Sequence, residues 1–365
     1  MKQILISIYV FSLFAGCRND QNLEDRLIRR AGYENTHALL KIDEIRLQEN
    51  KNNIIGIITS MQISSKGEIF INDVSSAKIH VYSQSGKFLR SIGSFGQGPG
   101  EFERNVEIRL SSNKLGVLDV GLKRISFFTM DGKYLNLINL AEDPETLFIM
   151  GRFDFSPNER RIYVEGISKK VEPDEICDKS FILVAYNSRL RPVTRGGEFD
   201  PFARKFCHQH NKKSFVRVDS SGNIYVLPYM VPRVTVYSPR FERLKRINFY
   251  NEYWKLPFSE SNPFDYTNPQ IAHSRVLGME IGKITGNLFI HHGWKDYEKS
   301  TRGNEIIHFY LTVIDSKGNF LIGGHSLQVP GPITIDHDEN IYFLLEDTPG
   351  NRIIGKFKII KRIAD

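Results

Sequence analysis

Five histidines stand where imidazoles could meet: His208 and His210 in Cys207-His-Gln-His210, His291 and His292 just before Gly293-Trp294, and His325 further on. Neutral imidazole is a common zinc ligand, and three rings converging on one point would hold a divalent cation. Their spacing fits no zinc motif, so the expectation is no cofactor, with a divalent metal at these rings as the alternative. The chain also offers a cation at Arg233 and flat rings at Tyr229, Trp294 and Tyr297. A cation, imidazoles and an aromatic platform together suit a polar or anionic ligand better than an apolar one. The competing role for Trp294 and the tyrosines is packing beneath loops. Read as loop residues, His291, His292 and Trp294 should tolerate joint replacement by Ala with loss of binding and little change in melting temperature.

The carboxylates give less. Asp73 and Asp119 follow apolar runs at matching positions, Gly67-Glu-Ile-Phe-Ile-Asn-Asp73 and Lys114-Leu-Gly-Val-Leu-Asp119. They could ring an opening with negative charge, but Asp also caps loop amides in Asx-turns, and capping is the preferred reading. The turns Asp219-Ser-Ser-Gly222-Asn and Asp336-His-Asp338-Glu-Asn340 lack the spacing and terminal Glu of a calcium loop, so they are read as hairpin turns. The run Gly93-Ser-Phe-Gly96-Gln-Gly98-Pro99-Gly100 lacks the Lys-Ser/Thr of a phosphate-binding loop, and no helix-like pattern follows it. Without paired carboxylates, a nucleophile elbow or a dinucleotide fingerprint, the sequence lends an enzyme no support.

Lys2 precedes an apolar run over residues 4–14, short for a membrane span, and Ala15-Gly16 stand directly before Cys17. This looks like a bacterial lipoprotein signal over 1–16, after which cleavage leaves Cys17 as an acylated first residue. An ordinary secretory signal with a chance cysteine is the alternative. Residues 17–37 are polar with weak periodicity, which suits a lipidated N-terminus and tether. Arg18 gives no inner-membrane retention signal, so the expected address is the cell envelope, lipid-anchored at the outer membrane and facing the periplasm or the surface. In that oxidising setting Cys177 and Cys207 could bridge or stay as two thiols. The formal charge of +7 becomes +6 once Lys2 leaves with the signal, and basic and acidic residues are interspersed. Such a solvated basic surface is compatible with an anionic glycan or lipopolysaccharide, while nucleic acid is a poor fit for an exported protein.

A repeat is what must position these residues. A turn, an alternating run, a loop, a second run ending in an aromatic and another turn are clearest over residues 67–89, with weaker copies beginning at Lys114, Arg161, Gly222, Gly286 and Glu339. Short-strand repeats of roughly this length are the mark of propeller blades. Strands in the first copy are expected at 59–64, 68–72, 78–82 and 87–92, with Ser85-Gly86 as a tight turn. The prediction is an all-β, six-bladed β-propeller of four-stranded antiparallel blades over 38–365, an early strand at 39–47 closing the last blade against 353–360. In such a ring the loop between second and third strands and the crossover to the next blade share one face, and the tight turns share the other. The long segments 94–105, 195–214, 251–274, 291–304 and 323–332 should gather on the first face, bringing Arg233 towards His291, His292 and Trp294.

The run Ser91-Ile-Gly93-Ser-Phe-Gly96-Gln-Gly98-Pro99-Gly100-Glu101-Phe102, with Asp73, Ile79-His-Val-Tyr82 and Gly86-Lys-Phe before it, resembles the NHL-like and TolB-like six-bladed β-propeller lipoproteins of the Bacteroidota. The resemblance covers about residues 39–365 and is strongest over 39–102. It implies propeller fold and export and says little about ligand. NHL-related amidating lyases show that such folds can host metal chemistry. Two function classes follow. One is a lipid-anchored binding or scaffold protein, monomeric as a domain, whose loop-rich face meets a glycan, peptide or envelope-protein partner. The alternative is a metal-assisted lyase or hydrolase using the loop histidines.

Overall fold

Alternating runs rich in β-branched and aromatic residues become strands where both faces of a sheet can pack against neighbours. The computed structural model describes residues 36–362 except 52, 149–151, 174, 202–212, 256–273, 297–298, 301–305 and 330. Over these residues the runs form six four-stranded antiparallel sheets. Blade 1 comprises Ile58–Ile63, Ile69–Asp73, Lys78–Tyr82 and Phe88–Ile92, each within a residue of the expected bounds. Blade 2 runs through Asn105–Leu110, Lys114–Asp119, Arg124–Thr129 and Tyr134–Asn139, and blade 3 through Phe153–Phe155, Arg161–Glu165, Leu183–Asn187 and Pro192–Gly196. Blade 4 is Ser214–Val218, Ile224–Pro228, Arg233–Tyr237 and Arg243–Asn248. Blade 5 has four longer strands, Ser274–Ile281, Leu288–Lys295, Ile307–Ile314 and Phe320–Leu327. Blade 6 contains Thr334–Ile335, Ile341–Thr348 and Asn351–Lys361, and borrows its fourth strand, His37–Arg46, from the start of the domain.

That borrowed strand pairs as the sequence predicts, with His37 opposite Lys361, Leu39 opposite Ile359 and Arg46 opposite Ile353. Ile45 and Leu47 then join Met61, Ile71 and Tyr82 of blade 1 and Tyr342 and Leu344 of blade 6 in one apolar cluster. Five further clusters fill the remaining interfaces between successive blades, so the core is a ring of six wedges. Each blade depends on both neighbours for the burial that holds it.

The glycine-rich crossover after blade 1 is a folding element. A Cβ on Gly93 would lie 2.1 Å from the Phe102 ring, and its φ of +83° is one that other residues rarely adopt. Phe102 is thereby drawn into the core between blades 1 and 2, while Arg124 donates to the carbonyls of Gln97, Gly98 and Glu101. Asp73 and Asp119 are caps, as preferred from the sequence. Asp73 accepts from the amides of Gly56, Ile57 and Ser75, each at 3.0 Å, and Asp119 accepts from those of Glu103, Arg104 and Leu122. Each pins the segment entering its own blade. The turns at Asp219, Asp315 and Asp336 likewise direct their carboxylates to their own backbone amides and to Asn223, Asn319 and Asn340.

Blade 3 departs from the pattern through a two-stranded ribbon, Thr146–Leu147 with Ile167–Ser168, and a short helix, Ile176–Lys179. Cys177 in that helix is buried and disulfide-bonded; Cys207 lies outside the described residues. The signal at 1–16, Cys17 and the tether up to residue 35 also lie outside them. Among the described residues no helix is long and apolar enough to cross a membrane.

Candidate functional site

The first strands of all six blades line the central channel and run in one direction, so like positions form layers across the lumen. One layer, towards the tight-turn face, takes a residue from every blade: Gln62, Arg109, Asp154, Arg217, Glu280 and Thr334. Glu280 of blade 5 accepts from Arg109 of blade 2 at 2.7 Å, Arg217 of blade 4 at 3.2 Å and Gln62 of blade 1 at 3.4 Å. Arg109 also holds Asp154 at 3.3 Å, and Gln62 donates to Thr334 at 3.3 Å. The layer is therefore a polar bridge across the channel, with opposite charges buried against one another. On its tight-turn side lies a cavity of about 330 Å³, floored by Arg109, Asp154 and Glu280. Several groups on that cavity's wall are already bonded: Lys283 to the carbonyl of Val218, Ser112 to Glu159, and Asp336 to Asn340 and Tyr342.

On the crossover side the next layer brings Glu107 within 3.0 Å of Arg217 and 3.9 Å of Arg152. The Arg152 guanidinium lies 4.7 Å above the Phe215 ring. Beside it is Glu165, at the end of the second strand of blade 3, buried with Oε1 bonded to the Ser214 amide and Oε2 without a hydrogen-bond partner. Burial pushes this carboxyl up to about 8, against the Ser214 amide and the charge of Arg152 and with the help of Glu107. Beyond Glu165 the channel opens past Lys213, whose ammonium stands 5.7 Å over the Tyr229 ring.

The histidines do not sit as the sequence suggested. His291 and His292 belong to the interior of an eight-residue strand and are 0% and 1% exposed, so the loop assignment is corrected. Being consecutive on a strand, they point to opposite faces of blade 5. His291 meets Phe309 on the side of blade 6, whereas His292 lies 5.0 Å from the Trp254 ring on the side of blade 4. Two such rings cannot bind one ion, and burial drives them down to about 4 and about 3, keeping both neutral. His292 Nε2 lies 2.9 Å from Thr312 Oγ1, which itself donates to the Gly323 carbonyl, so the imidazole must be the donor. His325 is exposed on the fourth strand of blade 5 rather than in a crossover. His208, His210 and Tyr297 lie outside the described residues. Among the described residues no group of three or more His, Cys, Asp or Glu is placed to hold a metal. Arg233 is buried and grips Asp200 at 2.7 and 2.8 Å, which fastens the crossover into blade 4 and removes it from the ligand-facing set.

Trp294 fares differently. Long strands carry blade 5 out on the crossover face, and a row of rings runs along its blade 4 side. Trp294 contacts His308 at 4.5 Å, His308 stacks on Tyr310 at 6.5 Å, and Tyr310 meets Tyr253 at 4.9 Å and His292 at 5.7 Å. Lys255 stands 5.3 Å over Trp294, and Asp296 lies 3.4 Å from His308. Trp294, Tyr310 and Tyr253 are half-buried, so the row passes from solvent at one end to core at His292. Tyr253 lies flat against blade 5 because Gly324 has no Cβ; one there would be 2.3 Å from the ring.

Residues 19–276 match a family described as DUF5128, 6-bladed beta-propeller. The chain belongs to the DUF5128 family. Solved structures carry the same fold. A DUF4221 family member from Bacteroides vulgatus ATCC 8482 superposes with a TM-score of 0.64 at 12% identity, covering 90% of this chain and 99% of that one. A candidate exported protein from Bacteroides fragilis NCTC 9343 gives 0.60 at 13%, covering 90% and 98%. At such identities the likeness establishes architecture alone. No curated protein matches the sequence. Sequence reasoning missed the lumen of this DUF5128 propeller. The signal was there: charged residues interrupt runs that otherwise read as buried strands, at Val106-Glu-Ile-Arg109, Val216-Arg217-Val and Met279-Glu280-Ile.

Proposed function

We propose that this DUF5128 propeller is an exported, lipid-anchored binding or scaffold protein that receives a glycan, peptide or protein partner on its crossover face. The observation that carries the reading is the half-exposed row Trp294, His308, Tyr310 and Tyr253, an aromatic ridge on the long strands of blade 5. Aromatic faces bind sugar rings and apolar side chains at low entropic cost, since two χ angles fix each one. Export and anchoring rest on the pattern before Cys17, and the Bacteroides fragilis neighbour described as exported agrees with it. A metal-assisted reaction gains no observation from His291, His292 or His325.

The test is a glycan and peptide array probed with the purified protein and with Trp294→Ala. The expected result is a small set of bound members whose signal falls at least about tenfold in the variant, with the melting temperature shifted only a few degrees because the side chain is half-exposed. Binding that ignores Trp294→Ala removes the aromatic row from the site. Joint replacement of His291 and His292, by contrast, is expected to destabilise the fold, since both are core residues.

A further inference from the structure

The cavity on the tight-turn side of the polar bridge is built in two layers. Residues of the bridge are each followed on their strand by an apolar one, as in Gln62-Ile63, Arg109-Leu110 and Thr334-Ile335. Ile63, Leu110 and Ile335 are half-buried and border the cavity, so a polar floor is ringed by an apolar collar. Its volume of about 330 Å³ falls at the small end of ordinary ligand pockets, and every residue lining it is among the described ones.

The floor keeps hydrogen-bonding capacity that the protein does not use. Glu280 is 5% exposed, and its three donors, Arg109, Arg217 and Gln62, all address Oε1. Its Oε2 accepts no hydrogen bond among the described residues. Gln62 spends its amide nitrogen on Glu280, Thr334 and the Met61 carbonyl, and its own Oε1 is free on the same terms. Both side chains line the cavity. Asp154, by contrast, is full: Oδ1 accepts from Arg109 Nε and the Phe155 amide, and Oδ2 from Arg109 Nη2 and the Val218 amide. Two acceptors on residues bonded to each other call for a ligand that brings protons.

The neighbours set the charge of that ligand. Two guanidinium groups already face Glu280, so an ammonium seated on Oε2 would be repelled by Arg109 and Arg217. A carboxylate or phosphate would set acceptors against acceptors. A hydroxyl donates its proton without bringing a net charge, and its oxygen can accept at the rim, where Lys283 gives one proton to the Val218 carbonyl and keeps others for a ligand. We propose that the tight-turn cavity binds a neutral, hydroxyl-rich molecule of monosaccharide size, whose hydroxyls donate to Glu280 Oε2 and Gln62 Oε1 and whose C–H faces rest on the collar. This site lies across the ring from the aromatic row and does not depend on what that row binds.

Calorimetry and saturation-transfer NMR with glucose, galactose and mannose, each beside its 2-amino and uronate counterparts at about pH 6.5, test the site. At least one neutral sugar is expected to bind with a Kd of about 1 mM or below, and its two charged counterparts at least about fivefold more weakly. Glu280→Gln puts a donor where the free acceptor was, and Ser220→Trp fills the mouth from an exposed position without touching the bridge. Each should weaken binding about tenfold or more, and Trp294→Ala should leave it unchanged. If Glu280→Gln fails to fold, Ser220→Trp with an unaltered circular dichroism spectrum decides. Failure of all three neutral sugars to bind, tighter binding of a charged counterpart, or affinity unchanged in Ser220→Trp overturns the proposal. Binding lost in Trp294→Ala and kept in Ser220→Trp would also overturn it, and would leave the crossover face as the sugar site.

Discussion

A carboxyl group at the end of a second strand has two fates in this chain. Burial alone would raise Asp73, but bonds from His80, Ser76 and the amides of Gly56 and Ser75 outweigh it and hold the group well below the usual range. For Glu165 burial is the largest influence, and the backbone of Ser214 and Arg152 and the Arg152 charge do not offset it. The consequence for stability has a definite sign. Its folded value, about 8, exceeds its value of 4.5 in an open chain, so between those limits the native state binds more protons than the unfolded one. The contribution is full below about 4.5 and is lost as pH rises through 8. The charged groups facing this carboxyl are Arg152, Glu107 and Lys213. Glu165→Gln is therefore expected to melt higher than the wild type at about pH 8.5 and with a flatter slope down to about pH 5, read from thermal melts across that range. Parallel slopes for the two proteins would contradict a raised Glu165. His291 and His292 act with the opposite sign, because their folded values lie below 6.5: their contribution is present above that pH and is lost as pH falls to about 4 and about 3.

At the scale of elements, the borrowed strand does more than fill a gap. Most of His37–Arg46 is exposed, yet removing it uncovers the edge of Asn351–Lys361 and takes Ile45 and Leu47 from the seam between blades 6 and 1. Two large buried apolar residues and a sheet edge are worth several kcal/mol, so deletion through Leu47 should lower the melting temperature by on the order of 10 °C, in one cooperative transition monitored by circular dichroism. A small early loss of signal with the main transition unmoved would mean that the strand is a separable tail. This strand was legible beforehand because alternation and a short sixth repeat pointed to the same pairing. Blade 5 was not. Its second strand continues through His291-His-Gly-Trp294, where paired polar residues and a glycine imitate a loop, although register against Ile307–Ile314 carries the ladder to Lys295. Period-two reasoning fails where both faces of a strand are buried, since His291 and His292 then satisfy the pattern as well as valines would. The channel layers were hidden for a related reason: they are assembled from six distant repeats, and a single repeat shows only one odd charge.

For the molecule as a whole, the ring folds independently of what attaches it to the cell envelope. Cys17→Ser should move the protein from the detergent phase to the aqueous phase on partitioning and leave its melting temperature unchanged, because the altered residue precedes the ring. Retention in the detergent phase would point to an association that does not depend on lipid. The manner of ring closure also bears on orientation. The Arg362 amide bonds the Thr36 carbonyl at 2.9 Å, beside the His37–Lys361 pair, and this end of the borrowed strand lies on the tight-turn side. Whatever precedes residue 36 thus leaves the ring opposite the crossover mouth of the channel. Any anchor attached ahead of Thr36 would therefore join the ring on its tight-turn side and leave the crossover mouth unobstructed by the point of attachment.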